Sequence, residues 1–308
     1  MKYMKLGRTE LEVSRIAMGC FRIHALTVSE TARLINAAIE AGVNFFDHAD
    51  IYGGGKSEAL FADAAGMKPS VREKMIIQTK CGIHLEPINY FDFSKEHIVS
   101  ALEGSLKRLK TDYVDILLLH RPDALMEPEE IAEAFTALHD SGKVNYFGVS
   151  NQNPMQIELL KKYVQQDLIV NQLQLSVMSS WLVDAGLFVN TQSPQGVVRD
   201  GGVLDYCRLN DMTIQAWSPF QYGYFDGPFL DNGKFPELNR KIDELAAKYE
   251  VPNTAVAAAW ILRHPAKMQV IPGTTNARRL KDICRATEIE LSRREWYEIY
   301  LAAGNQLP

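Results

Sequence analysis

No apolar run in this chain approaches the roughly 20 residues that a membrane-spanning helix needs, so no membrane partner is expected. The N-terminus lacks the apolar core of a secretory leader, and a cytoplasmic location is expected. Long basic runs are also missing and the net charge is −5. Nucleic acid is therefore not an expected partner, although local basic clusters can still hold one phosphate. Cysteine is scarce. Cys20, Cys81, Cys207 and Cys284 are far apart and match neither a CxxC pair nor a zinc spacing, so they read as reduced packing residues. A GxGxxG turn is lacking as well: Gly53-Gly54-Gly55 is the one glycine cluster of note, and its spacing differs. No linker or low-complexity stretch interrupts residues 1–308, which read as one domain.

What is present is alternation. Hydrophobic residues make up 46% of the chain and charged residues 23%, which is enough apolar material for a large core. Residues 3–6 and 12–16 flank a Gly7-Arg8-Thr9 turn and read as a β-hairpin. Strands are then expected near 16–18 and over 44–48, 75–80, 114–120, 146–150, 169–175, 213–217 and 268–271. Helical segments separate them. Thr27 and Glu30 have capping-box spacing, Ser94 and Asn153 suit N-caps, and Pro128 and Pro154 suit first helical positions. Eight strands in β–α alternation favour a closed (β/α)8 TIM barrel carrying an N-terminal β-hairpin. The rival is an open doubly wound sheet, which would need the glycine-rich turn this chain lacks.

Four of the strand-like runs end in polar residues that do not suit a core: Asp47 and Tyr52 after Phe45-Phe46, Lys80 after Ile76-Ile77, His120 after Leu117-Leu118-Leu119, and Ser150-Asn151 after Val149. Parallel strands laid side by side would gather them at one end of the barrel, where this fold carries its chemistry. A lysine paired with a carboxylate and aimed at a phenol favours the phenolate, so Tyr52 could exchange a proton near neutral pH. Each residue also has a plainer reading. Asp47 and Lys80 alone would suit a structural ion pair, Trp217 barrel packing and Arg279 a solvated helix face. His48, His84, His97, His139 and His264 read as exposed, capping or packing residues. His48 and Asp50 flank the site without a third ligand, so no metal is expected.

Together these motifs resemble the aldo-keto reductases, and most of all a bacterial YdhF-like oxidoreductase subgroup. The run from Gly42 to Gly53 is similar to the family's first signature, Leu106 to His120 to its second, and Ile271-Pro272-Gly273-Thr274-Thr275 to its phosphate-binding segment. The resemblance covers nearly the whole chain. It implies a (β/α)8 barrel that reduces a small-molecule aldehyde or ketone with NADP as cofactor, NADPH being preferred over NADH, and with no obligate protein partner. It assigns Tyr52 as general acid, Lys80 and Asp47 as its tuning pair, and His120 as the residue that orients the carbonyl. Gly19, Cys20 and Asp47 would border the cofactor. Ser150, Asn151 and Gln172 would hold the carboxamide, Trp217 would stack on the nicotinamide, and Ser218 and Pro219 would lie along the pyrophosphate. Gly273, Thr274, Thr275 and Arg279 would surround the adenosine end. Gly273 stands where many relatives carry a phosphate-binding lysine, which reduces the expected NADPH preference; Arg279 retains it. Phe21, Arg22, His24, Tyr90, Phe91, Trp181, Tyr222 and Tyr224 are candidates for the substrate side. Two other readings stay open. One is a nucleotide-sensing regulatory subunit. The other is a barrel enzyme of unrelated chemistry that uses the same carboxylate–lysine pair.

Overall fold

A computed structural model describes residues 1–308. The chain opens with an antiparallel hairpin, β1 (Tyr3–Lys5) and β2 (Glu12–Ser14). Gly7 turns it at φ +56°, and a Cβ there would sit 2.8 Å from the carbonyl oxygen of Ile169, so only glycine fits. Leu6 and Val13 are buried against Phe45, Ile76, Ile116 and Ile169. The hairpin thus plugs the N-terminal end of the barrel.

The alternating part runs β3 (Met18–Gly19), α1 (Val28–Glu40), β4 (Phe45–Asp47), α2 (Lys56–Ala65), α3 (Pro69–Arg72) and β5 (Ile76–Cys81). A small hairpin follows, β6 (Ile83–His84) with β7 (Tyr90–Phe91), then α4 (Lys95–Leu109), β8 (Val114–Leu119), α5 (Pro128–Asp140), β9 (Val144–Ser150), α6 (Pro154–Lys161) and β10 (Leu168–Gln174). The chain continues through α7 (Trp181–Leu187), α8 (Val203–Leu209), β11 (Thr213–Trp217), α9 (Pro236–Tyr249), α10 (Asn253–Leu262), β12 (Gln269–Ile271), α11 (Ala277–Cys284) and α12 (Arg293–Ala302). The parallel strands follow the order β3-β4-β5-β8-β9-β10-β11-β12. The ring closes between its first and last members: Ile16 bridges Val270, Ala17 N–H donates to Val270 O, and Gly19 N–H donates to Pro272 O. No helix is long and apolar enough to cross a membrane.

The expected barrel strands appear within about two residues of their expected limits, and the capping signals hold. Thr27 and Asn153 both form full capping boxes, with Glu30 and Gln156, and Ser94 accepts from His97 N–H. Such caps satisfy backbone donors that the helix cannot, and each contributes about 1 kcal/mol. The hairpin β6–β7, the short α3, α7, and α12 go beyond the sequence expectation. Helix α12 is held by two indoles. Trp260 and Trp296 stack at 4.7 Å, and each donates its Nε1–H to the other's backbone carbonyl. The C-terminal segment is therefore packed against the barrel's outer helices.

Candidate active site

Strand β4 ends at Asp47, and the chain then turns through three consecutive glycines, Gly53, Gly54 and Gly55, at φ +61°, +65° and +85°. Side-chain-bearing residues rarely adopt that conformation, so the glycine run is what folds Tyr52 back over the barrel mouth. Strand β5, next to β4, carries Lys80, and β8 beyond it leads into His120. The Lys80 ammonium is fully buried. It contacts both Asp47 oxygens (2.8 and 2.9 Å) and donates to His48 O (2.7 Å) and the Tyr52 hydroxyl (3.2 Å). An ammonium has three donors, and three separate groups take them. The Tyr52 and His120 rings meet edge-on at 5.9 Å.

Below this cluster lies a feature that sequence reading missed. Asp47 Oδ1 accepts from Gln78 Nε2 (2.6 Å) and Gln172 Nε2 (3.0 Å). The same two amides also donate to Gln215 Oε1, Gln215 donates to Gln269 Oε1, and Gln269 donates to Ser14 O. Four glutamines from four strands thus link the carboxylate to the plugging hairpin across the barrel interior. The signal was available, because Gln78, Gln172, Gln215 and Gln269 each interrupt an apolar strand. Gln172 was read as a carboxamide ligand. Its amide nitrogen is committed to Asp47 and Gln215, and its Oε1 accepts no hydrogen bond from the protein.

The electrostatics divide the roles. Burial pushes the Tyr52 phenol above its ordinary value; Lys80 opposes this by charge and hydrogen bond, while Asp47 adds to it. Lys80 thus acts in the expected direction, but the phenol as a whole stays protonated at neutral pH. Burial works against the Lys80 charge, yet Asp47 and Tyr52 together raise its pKa. His120 is held well below the usual histidine range by burial, then by Lys80 and Arg121, so its ring is neutral. Asp50 is pushed up to about 7, first by burial and then by Glu58. Burial and Lys80 push His48 down to about 3, and its ring packs edge-on against Phe61 in the core.

Asp47, Tyr52 and His120 line a cavity of about 670 Å³. Of the residues expected around a cofactor, Gly19, Asp47, Ser150, Asn151, Gln172, Trp217, Ser218, Pro219, Gly273, Thr274, Thr275 and Arg279 all line it. Cys20 does not. Its side chain is fully buried and its Sγ lies 3.6 Å from Met18 O. Asn151 donates to Ser150 Oγ and accepts from the Trp217 indole (3.2 Å), which fixes the indole beside Ser150 and Asn151. On the expected substrate side, Phe21, Arg22, Phe91 and Tyr224 line the cavity, whereas His24, Tyr90, Trp181 and Tyr222 do not. Tyr90 turns away to stack on His84, and exposed Trp181 lies under Arg199. Arg22 donates to Gly273 O (3.3 Å), so a second cation beside Arg279 reaches the Gly273–Thr275 segment. Phe225, near-parallel to Trp217 at 5.9 Å, was not foreseen because its loop has no periodic pattern.

A phenol beside a buried ammonium, a neutral imidazole and an aromatic-walled cavity can deliver a proton to an oxygen bound between Tyr52 and His120. Residues 15–301 match the model of the aldo/keto reductase family. The chain is 34% identical to 6-dehydroglucose reductase from Agrobacterium fabrum, with 97% of each chain covered. It is also 34% identical to the oxidoreductase YdhF from Escherichia coli, with 96% of each covered. Among solved structures, the thermostable aldo-keto reductase Tm1743, crystallised with the inhibitor epalrestat, superposes with a TM-score of 0.77 at 26% identity over 98% of this chain and all of that one. The family's members are oxidoreductases that act on carbonyls with nicotinamide cofactors, and with its model matched over nearly the whole length the chain belongs to the aldo/keto reductase family.

Proposed function

We propose that this chain, acting as one barrel domain over residues 1–308, reduces an aldehyde or ketone to the alcohol with NADPH, and that Tyr52 is the proton donor. The observation that carries the reading is the Lys80 ammonium, which donates to Asp47, His48 O and Tyr52 at the floor of a cavity shared with His120 and Trp217. The cavity suits a dinucleotide phosphate. Trp217 offers an indole face, and Arg279 and Arg22 stand at the Gly273–Thr275 end. Asn276 caps helix α11 beside them, where backbone donors favour an anion. NADPH, when bound, supplies the reducing equivalents.

The protein's own part is acid catalysis and positioning. The carbonyl oxygen is held between the Tyr52 hydroxyl and the neutral His120 ring, which serves as hydrogen-bond donor or guide and not as an acid. As the carbonyl carbon is reduced, its oxygen gains charge and takes the Tyr52 proton. The phenolate left behind is stabilised by Lys80, whose own charge is balanced by Asp47. In the reverse direction the phenolate is the base. Preference for NADPH over NADH rests on Arg279 with help from Arg22, because a 2′-phosphate rewards fixed guanidinium donors. Aromatic walls at Phe21, Phe91 and Phe225 alternate with Asn89, Gln221 and Asp231, which suits a substrate with both apolar and hydroxyl surface. A sugar aldehyde, the substrate class in one relative's name, is accordingly the first to try.

The test is NADPH absorbance followed against aldehydes, ketones, quinones and 6-dehydroglucose. Carbonyl-dependent oxidation of NADPH is expected with at least one class. Tight cofactor binding without turnover on any of them would point instead to a nucleotide-sensing role.

A further inference from the structure

The hairpin after β5 has two faces. Ile83 pairs with Phe91 and His84 with Tyr90 across its strands. Side chains alternate along a strand, so Ile83 and Phe91 turn to the cavity while His84 and Tyr90 turn outward, towards α4. There the His84 ring stacks on Tyr90 at 4.3 Å, nearly parallel, and lies 4.2 Å from the His97 ring in the first turn of α4. Asp92, just past the hairpin, brings Oδ2 to 3.4 Å from His84 Nε2. One ligand atom from each of His84, Asp92 and His97 lies within 4.8 Å of the other two.

We propose that His84, Asp92 and His97 form a binding site for a divalent transition-metal ion of the zinc class, set behind the cavity wall and separate from the Tyr52 cluster. The Nε2 atoms of both histidines are buried; that of His97 has no partner, and that of His84 faces only the Asp92 carboxylate at 3.4 Å, outside hydrogen-bond geometry. A neutral imidazole presents one donor and one acceptor nitrogen, so a buried nitrogen left without a partner beside a loosely engaged one is a cost that a shared cation removes. Two imidazoles and a carboxylate are the N,N,O set that borderline ions favour, with a fourth position for water. The support is already built. Asp92 Oδ1 accepts from Ser94 N–H (2.8 Å), which fixes the carboxylate and leaves Oδ2 for the ion. Tyr90 holds the His84 ring, and the Ser94 cap anchors the backbone of His97. Tetrahedral zinc places its ligand atoms about 3.4 Å apart, given bonds of about 2.1 Å, so small side-chain rotations close the site. The side chains of His84 and Asp92 are each 29% exposed, which leaves an entry path. A bound ion would fasten the cavity-lining hairpin to α4.

The experiment uses the full chain after chelator treatment and chelator removal. Zinc is titrated by calorimetry, and cobalt by its visible absorption. One equivalent is expected to bind to the parent protein and to raise its melting temperature. His97→Asn and Asp92→Asn, each shown by melting to fold without metal, should weaken binding by at least about tenfold. Tyr52→Phe should bind like the parent, which separates this site from the proposed catalysis. Absence of stoichiometric binding, retention of it in both ligand variants, or its loss in Tyr52→Phe would overturn the proposal. If one ligand variant does not fold, the other decides.

Discussion

In the proposed function, Lys80 is the residue on which the site's chemistry turns. Burial alone would make Tyr52 a poor acid and leave little phenolate to serve as base, and the ammonium 3.2 Å away is the largest opposing influence. Lys80→Met removes that influence, so the phenol's pKa should rise further. Alcohol oxidation needs the phenolate, and its rising limb should therefore move to higher pH, with a lower rate at any fixed pH below the new limb. The pH–rate profile of oxidation measures this directly. An unchanged profile with activity intact would make Lys80 a structural cation only. The substitution also leaves Asp47 buried without its counter-ion, and breaking such a pair costs roughly 3–5 kcal/mol of stability. The profile should accordingly be taken well below the variant's own melting temperature. The glutamines soften that loss, because Gln78 and Gln172 still donate to Asp47.

At the level of elements, the segment from β12 into α11 is where the proposed cofactor preference is tested. Gly273 carries no side chain, Asn276 caps α11, and Arg279 and Arg22 are the cations that line the cavity there. Arg279→Ala should remove a charge-assisted contact of about 1.5–3 kcal/mol. The NADPH dissociation constant should then rise by roughly tenfold or more while that for NADH stays nearly constant, bringing the two together. Fluorescence titration of both cofactors in both proteins checks it; equal affinities in the parent would return Arg279 to the role of a solvated helix residue. Elements with strong local signals were legible in advance. Thr27 with Glu30 and Asn153 with Pro154 announced helix starts that the structure reproduces. The hairpin β6–β7 was not legible, since two-residue strands carry no readable period, and Tyr90 was placed on the wrong face in consequence. Helix α12 was missed although Ser292 and Glu295 have capping-box spacing; its identity depends on Trp296 finding Trp260 on another helix.

On the scale of the whole molecule, closure of the ring brings distant strand ends together. The apolar runs and their polar ends could be read from the chain, and so could their meeting at one rim, because parallel strands in β–α alternation share one direction. What joins them inside could not be read. Gln172 and Asp47 are 125 residues apart and meet only once the barrel is closed. Nor could Arg22 be placed beside Gly273, since that link spans 251 residues across the seam between first and last strands. The same closure sets Tyr52, Lys80 and His120 around one point at the cavity floor. The most direct test of that assembly is Tyr52→Phe, with carbonyl-dependent NADPH oxidation and NADPH binding measured on the same preparation. Loss of at least ~100-fold in kcat, with the cofactor dissociation constant nearly unchanged, is the expected result. Near-normal turnover in that variant would contradict the assignment of Tyr52 as the acid.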